Sequence, residues 1–136
     1  MGAIVDTGPL VAFFDRSERH HDWAVEQIET FEAPLLVCEP VLTEASYLLS
    51  RFPKAHETLL ELVEEGALLV AFSVQDNIAE LRSLVRKYRD VPMSLADACI
   101  VRMAQIFPSH LILTLDSDFM IYRKQGRIPL NIVHPA

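Results

Sequence analysis

Short runs of apolar residues alternate with longer segments of helical periodicity along most of this chain. The runs are AIVD at 3–6, APLLVCEP at 33–40, ALLVAF at 67–72, HLILTL at 110–115 and IPLNIVH at 128–134. Short buried strands that are joined by helices are typical of parallel βαβ units. We therefore predict an α/β protein, a three-layer α/β/α sandwich with a central, mostly parallel sheet.

Proline, glycine and capping residues mark where the helices begin and end. The pattern predicts a brief helix LVAFFD, a second from about Ser17 to Thr30, a third opened by Pro40, a fourth closed by Gly66, a fifth from Ser73 to about Tyr88 and a sixth ended by Pro108. Trp23, Ile28 and Phe31 are the expected inward positions of the second helix. The sixth helix is mostly apolar, so we expect it to be buried.

The amount of apolar sequence is sufficient for one hydrophobic core. The chain has 136 residues, of which 51% are hydrophobic and 23% charged, so we expect a single domain over residues 1–136. No apolar run approaches the about 20 residues of a membrane-spanning helix, and MGAIVD lacks the features of a signal peptide or a myristoylation site. We therefore expect a cytoplasmic protein with no membrane partner, in which Cys38 and Cys99 are reduced core thiols.

The net charge of −7 is unevenly distributed along the sequence. Residues 15–65 contain twelve acidic and four basic side chains, whereas residues 66–136 contain six acidic and eight basic ones. A polyanion would therefore prefer the second half, where Arg86, Lys87 and Arg89 form part of a basic cluster. We predict that these three residues contact a polyanionic partner; a solvated helix face is the alternative.

Acidic residues lie where the predicted strands end. Asp6 ends the first run, and Asp116 follows the fourth, with Asp118 two residues later. The carboxyl ends of parallel strands meet at one crevice where the strand order reverses, so Asp6 and Asp116 are expected to lie close together. Asp97 and Glu44 occupy otherwise apolar helices, where a charged residue usually has a partner.

Each of these acids also has a simple structural explanation. Asp6 can cap the helix at Pro9, and Asp116 or Asp118 can cap a last short helix. Ser94 and Asp97 fit a capping box, and Glu44 suits the beginning of a helix. No basic residue lies within two positions of any of the four acids in the sequence. Carboxylates that converge without a base repel each other until a cation binds, and sites with oxygen ligands alone select Mg²⁺ or Mn²⁺. The sequence therefore predicts a metal site formed by Asp6, Glu44, Asp97 and Asp116, with Asp118 as a further ligand or as the residue that orients one.

The stretches IVDTGPLVAFFD, HHDWAVE, VLTEASYLL, SLADACIVRMA and ILTLDSDF follow one another over nearly the whole chain. In this order they resemble PIN-domain nucleases, most closely the VapC-type toxins of bacterial and archaeal toxin-antitoxin pairs. The resemblance implies a Mg²⁺- or Mn²⁺-dependent endoribonuclease, expected as a homodimer, that cuts RNA and is silenced by a cognate antitoxin. By position, the implied catalytic and metal-binding acids are Asp6, Glu44, Asp97 and Asp116, with Asp118 as an auxiliary acid and Thr7 and Thr114 as polar neighbours. The acidic net charge is a departure from what an RNA-binding surface suggests.

Such a site predicts metal-assisted hydrolysis, in which ions about 4 Å apart hold the scissile phosphate, activate a water and stabilise the leaving oxygen. The expected products carry 5′-phosphate and 3′-hydroxyl ends. A ribonuclease that uses the 2′-hydroxyl as nucleophile instead needs a convergent acid-base pair. The histidines, which are His20, His21, His56, His110 and His134, have no evident catalytic neighbour in the sequence.

Three other classes of protein share part of this pattern. LDSDF resembles the signature of haloacid-dehalogenase phosphatases, but that motif opens their fold and here lies near the end of the chain. Receiver domains also cluster acids, but they need paired acids after the first strand and a lysine after a late one. A PIN-fold binding module with weak or no catalysis is the remaining alternative.

Overall fold

The computed structural model describes residues 1–135, which form seven short strands and six α-helices. The strands are β1 (Ala3–Val5), β2 (Leu35–Val37), β3 (Leu68–Val70), β4 (Leu111–Leu113), β5 (Arg123–Gln125), β6 (Ile128–Pro129) and β7 (Ile132–Val133). The helices are α1 (Thr7–Phe14), α2 (His21–Thr30), α3 (Glu39–Leu49), α4 (Pro53–Glu64), α5 (Ile78–Lys87) and α6 (Leu95–Ile106). Short 3-10 helices occupy Gln75–Asn77 and Ser117–Met120.

Five of the strands form one parallel sheet in the order β3-β2-β1-β4-β7. The chain moves outward from β1 through β2 to β3 and then returns to place β4 on the other side of β1. The strand order therefore reverses between β1 and β4, where Val5 pairs with Leu113. In α/β sheets this is the position at which a ligand crevice forms, beyond the carboxyl ends of the strands.

Helices cover both faces of this sheet. Every residue of β1 and β2 is buried, and since successive side chains of a strand point to opposite faces, both faces must be covered. Helix α6 packs against β1 and β4, whereas α1 packs against α2 and α3. The predicted three-layer sandwich is confirmed, and α6 is the buried helix that its sequence predicts.

The connection from β1 to α1 places the first turn of this helix against the chain that follows β4. A Cβ atom on Gly8 would lie 3.1 Å from Cδ1 of Leu115, closer than about nine in ten real contacts of that kind. Glycine therefore permits an approach that a larger residue would obstruct. As a result, the beginning of α1, at Asp6, lies beside the segment that follows β4 and ends at Asp116.

The second helix begins at His21, four residues after the predicted start at about Ser17, and it ends at Thr30 as predicted. The backbone N–H and hydroxyl of Ser17 instead donate hydrogen bonds to Oδ1 of Asp15, at 3.0 and 2.6 Å. This local turn satisfies Ser17 and delays the helix. Ile28 and Phe31 pack against the core as predicted, and Trp23 is partly buried.

The final strand predicted from IPLNIVH is two separate strands. Only β7 joins the main sheet, next to β4, whereas β6 pairs antiparallel with β5 in a small hairpin. Gly126, with a φ of 57°, permits the tight turn of this hairpin, and Pro129 has no N–H to continue a ladder. The polar sequence of β5 gave no alternating pattern from which this strand could be predicted.

Both cysteines are buried free thiols, as predicted. A hydrogen bond with Cys99, together with burial, raises the pKa of the Cys38 thiol, which therefore stays protonated. Within the described residues, no helix combines the length and the apolar character that crossing a membrane requires.

Candidate active site

A cavity of about 580 Å³ opens beyond the carboxyl ends of β1 and β4. Its lining consists of Asp6, Thr7, Gly8, Glu44, Ser94, Ala96, Asp97, Leu115, Asp116 and Ser117. The four acids that were predicted to converge are all part of this lining, although they come from four different segments of the chain. No lysine, arginine or histidine is among the lining residues, so negative charge dominates the cavity.

Asp6 is the most buried of these acids, with 8% of its surface exposed. It is the N-cap of α1, where Oδ1 accepts a hydrogen bond from the backbone N–H of Thr7 at 2.8 Å. The hydroxyl of Thr114 donates to its other oxygen, Oδ2, at 2.8 Å. Burial raises the pKa of Asp6 to about 6, with a smaller contribution from the charges of Asp97 and Asp116, against the opposing effect of both hydrogen bonds.

Asp116 is linked to Asp6 through Thr114. The backbone N–H of Asp116 donates to Oγ1 of Thr114 at 2.9 Å, so this buried hydroxyl contacts both acidic segments. The carboxylate of Asp116 caps the 3-10 helix Ser117–Met120, because Oδ1 accepts the backbone N–H of Asp118 at 2.9 Å. Thr114 therefore holds the carboxylate of Asp6 next to the backbone of Asp116.

Asp97 lies in the first turn of α6 and completes the capping box that its sequence predicts. Its backbone N–H donates to Oγ of Ser94 at 3.0 Å, and the N–H of Ser94 donates to Oδ2 of Asp97 at 3.4 Å. The hydroxyl of Tyr122 donates to the same Oδ2 at 3.1 Å. Burial is the main cause that raises the pKa of Asp97 above its ordinary value.

Glu44 differs from the other three acids in being exposed. It lies in the middle of α3, and its side chain makes no hydrogen bond or ion pair within residues 1–135. Its side chain is therefore the freest of the four to move toward a ligand in the cavity.

The auxiliary residues occupy different places. Asp118 is not part of the cavity lining, and it contacts Asp116 through its backbone N–H. Thr7 lines the cavity, and its hydroxyl is a buried oxygen without a hydrogen-bond partner among the described residues. A buried hydroxyl of this kind is rare, and it is available to a ligand or to water.

The predicted basic contacts lie outside this cavity. Arg86 and Lys87 end α5, Arg89 follows them, and all three are exposed. Nζ of Lys87 lies 3.4 Å from the carbonyl oxygen of Gly126, and none of the three lines the cavity. A role of these residues in binding a polyanion stays a prediction.

The chemistry of the cavity fits a divalent ion, since it offers carboxylates, a free hydroxyl and no competing base. In the part of the chain that the structure describes, however, no three carboxylate, imidazole or thiol groups lie close enough to hold one ion together. Three of the acids are instead held by neighbouring donors, which reduces their mutual repulsion. Side chains must therefore move toward an ion for it to be bound.

Tyr122 is the residue of this site that the sequence did not indicate. It contacts Asp97 across twenty-five positions of the sequence, through a hydrogen bond that depends on the tertiary fold. A tyrosine four residues after Asp118, at the end of the apolar run FMIY, was the only available signal.

The fold and this cavity together define a class of α/β proteins that carry a carboxylate-lined site where the strand order reverses. The chain belongs to the PIN domain family, because the family profile described as PIN domain matches residues 3–125. A ribonuclease of Mycobacterium tuberculosis, Ribonuclease VapC26, is 33% identical to it over 115 residues, which cover 83% of this chain and 85% of the relative. A solved structure, the toxin-antitoxin complex from Klebsiella pneumoniae, matches with a TM-score of 0.69 and 20% identity over 98% of both chains, which shows the shared fold.

Proposed function

We propose that this chain is a Mg²⁺- or Mn²⁺-dependent endoribonuclease, the toxin of a toxin-antitoxin pair, that hydrolyses phosphodiester bonds of RNA. One observation carries the proposal: four carboxylates from separate segments line one cavity whose lining includes no basic residue. Such a cavity favours a hard divalent cation, which can in turn attract a phosphate. The name of the M. tuberculosis relative, a ribonuclease, supports the choice of RNA as substrate.

In this proposal Asp6, Glu44, Asp97 and Asp116 would hold the ion, and the unpartnered hydroxyl of Thr7 would face it or a water near it. When bound, Mg²⁺ or Mn²⁺ would neutralise charge on the scissile phosphate and lower the pKa of the attacking water. Asp118 would act through its backbone, as the group that orients Asp116.

The side chains of the cavity supply position and charge in this reaction. Its lining contains no cysteine, histidine or lysine that could act as a nucleophile or as a general base. In this proposal the carboxylates hold the ion, so no acid-base pair is left to activate the 2′-hydroxyl of RNA. Attack by water is expected instead, with 5′-phosphate and 3′-hydroxyl products.

The partners of the proposal are an RNA substrate, a cognate antitoxin protein and a second copy of the chain in a homodimer. The resemblance to VapC-type toxins supports all three, and the shared fold with a protein of a toxin-antitoxin complex is consistent with the second. We place the protein in the cytoplasm, where its RNA substrate and an antitoxin would meet it, and treat residues 1–136 as a single domain.

The second candidate function is a PIN-fold binding module with weak or no catalysis. The arrangement of the acids favours it in one respect, since no three of the described ligand-type groups are placed to share an ion. Under this alternative the acids act mainly at the beginnings of helices, where Asp6 and Asp116 are N-caps and Asp97 completes the capping box of Ser94.

A single-turnover cleavage assay on a broad RNA panel decides between these candidates. We expect wild-type protein to cut RNA only with Mg²⁺ or Mn²⁺, and Asp6→Asn and Asp97→Asn to lower the rate by at least about 100-fold. Asp22→Asn removes an exposed carboxylate of α2 outside the cavity and is the matched control, with an unchanged rate. Ligation that requires a 5′-phosphate, followed by sequencing, reads the chemistry of the ends.

Equal cleavage by the wild type and both cavity variants would refute the assignment of the site. No cleavage by the wild type on any RNA, with Mg²⁺ or with Mn²⁺, would favour the binding module instead.

A further inference from the structure

Tyr122 is a fully buried tyrosine that contacts Asp97, one of the cavity acids, without lining the cavity itself. Its relative exposure is 0%, and the rings of Tyr88 and Phe119 pack against it edge-on, with centroids 5.0 and 5.3 Å away. A tyrosine hydroxyl is protonated near neutral pH, so it can act as a hydrogen-bond donor. The acceptor at 3.1 Å is Oδ2 of Asp97.

This hydrogen bond distinguishes the two oxygens of the Asp97 carboxylate. Oδ2 accepts from the Tyr122 hydroxyl and from the backbone N–H of Ser94, at 3.1 and 3.4 Å. Oδ1 accepts no hydrogen bond from the residues that the structure describes. Two donors on one oxygen limit the rotation of the carboxylate and leave the other oxygen free for a ligand.

Tyr122 also connects Asp97 with the segment that carries Asp116. The backbone N–H of Tyr122 donates to the carbonyl oxygen of Asp118 at 3.2 Å, and the N–H of Asp118 donates to Oδ1 of Asp116 at 2.9 Å. Three hydrogen bonds, linked through the covalent structure of Tyr122 and Asp118, therefore join two acids that are separated by nineteen positions of the sequence. Tyr122 is the point at which this connection passes from one segment to the other.

We propose that Tyr122 is a positioning residue, whose hydroxyl orients Asp97 so that Oδ1 is free to bind a divalent ion and fixes it relative to Asp116. The inference rests on the proposed function, since it requires an ion in the cavity. Residues that hydrogen-bond to a metal ligand typically change metal affinity or activity by about 10- to 100-fold when they are replaced.

Tyr122→Phe tests this inference, with Tyr88→Phe as its matched control. Both substitutions keep a buried ring of the same aromatic cluster and remove one hydroxyl, but the Tyr88 hydroxyl accepts from the backbone N–H of Arg123 and touches no acid. We expect Mn²⁺ alone to bind Tyr122→Phe about 10- to 100-fold more weakly, as measured by electron paramagnetic resonance of the free ion. Tyr88→Phe should bind Mn²⁺ within about twofold of the wild type, because the acids keep their donors.

The kinetic readout separates positioning from a loss of RNA binding. At saturating Mn²⁺, Tyr122→Phe should lower kcat and leave KM for RNA unchanged, because the tyrosine is fully buried and cannot touch RNA. Melting curves without metal establish that both variants fold.

The Tyr122 hydroxyl also lies 3.4 Å from the carbonyl oxygen of Pro92, and it could act through that loop rather than through Asp97. The Asp97→Asn background resolves this, since removing the hydroxyl there should cause no further loss of Mn²⁺ affinity. An equal loss in both backgrounds would overturn the inference, and so would equal affinities of Tyr122→Phe and Tyr88→Phe. If the wild type neither binds Mn²⁺ nor cuts RNA, the proposed function fails and the inference fails with it.

Discussion

Two threonines beside the acidic cavity differ in how their hydroxyl groups are satisfied. The hydroxyl of Thr114 donates to Asp6 and accepts from the backbone N–H of Asp116. The hydroxyl of Thr7 is equally buried and has no partner within residues 1–135. Unpaired buried polar groups destabilise a fold, and they persist mainly where a ligand makes use of them.

Thr7→Val and Thr114→Val are therefore expected to have opposite effects on the stability of the metal-free protein. Valine at position 114 leaves Oδ2 of the buried Asp6 carboxylate without a donor and should lower the free energy of unfolding by about 2 kcal/mol. Valine at position 7 removes a group that has no partner, so it should leave this free energy unchanged or raise it by up to about 1 kcal/mol. Urea denaturation measures both values.

The effects of the two substitutions on Mn²⁺ affinity should differ from their effects on the free energy of unfolding. Thr7→Val should bind the ion several-fold more weakly than the wild type if its hydroxyl faces the ion. A Thr7→Val variant that is destabilised as much as Thr114→Val would show that the Thr7 hydroxyl already has a partner.

At the level of secondary structure, three of the cavity acids lie at the beginning of a helix. Asp6 caps α1, Asp97 lies in the first turn of α6, and Asp116 caps the short 3-10 helix that follows β4. Carboxylates are stabilised there by free N–H groups and by the helix dipole. Judged from the sequence, capping and metal binding were alternative roles for these acids. The same carboxylate can serve both, because the capping box uses only Oδ2 of Asp97.

The sequence was sufficient to predict the elements whose hydrophobic pattern is strong. The alternation of strands and helices, the buried character of α6 and the convergence of Asp6 with Asp116 all follow from local periodicity and from one topological rule. The hairpin of β5 and β6 could not be predicted, since its strands are short and β5 is polar. The contact of Tyr122 with Asp97 depends on tertiary packing, which no local pattern encodes.

The exposed bases at the end of α5 provide a prediction for this element. If Arg86, Lys87 and Arg89 contact phosphates, replacing all three by Gln should weaken RNA binding for every sequence alike. The slope of log affinity against log salt should become flatter by about 0.7 for each lost phosphate contact with a single strand. Binding is measured in the Asp97→Asn background, so that the RNA is not cut.

The matched control for these bases replaces Arg16, Arg19 and Lys54, three exposed bases from the acidic half of the chain. It removes the same charge from another part of the sequence, and its salt slope should equal that of the parent. Equal slopes for both triple variants would remove the α5 bases from the RNA interface.

For the molecule as a whole, folding buries the charge of Asp6, and its two hydrogen bonds do not fully offset the loss of hydration. The pKa of Asp6 is about 6 in the folded chain, against 3.8 for an unperturbed aspartate, so the folded state holds this proton more tightly than the unfolded state does. Its contribution to stability is fully present below pH 3.8 and is lost as the pH rises through about 6. At pH 7 the ionised Asp6 therefore destabilises the metal-free fold by about 3 kcal/mol.

Asp6→Asn should consequently become more stable relative to the wild type as the pH rises from about 4 to about 7, and the difference should then level off. The expected gain is about 1 to 3 kcal/mol, because the amide cannot replace every hydrogen bond of the carboxylate. Mg²⁺ should reduce the difference, since an ion that binds only the folded wild type stabilises it by mass action. Urea denaturation at several pH values, with and without Mg²⁺, measures both effects, and Asp22→Asn controls for the loss of one negative charge. A stability difference that does not change between pH 4 and pH 7 would mean that folding does not raise the pKa of Asp6. An increase of this difference on adding Mg²⁺ would mean that the ion does not bind at this carboxylate.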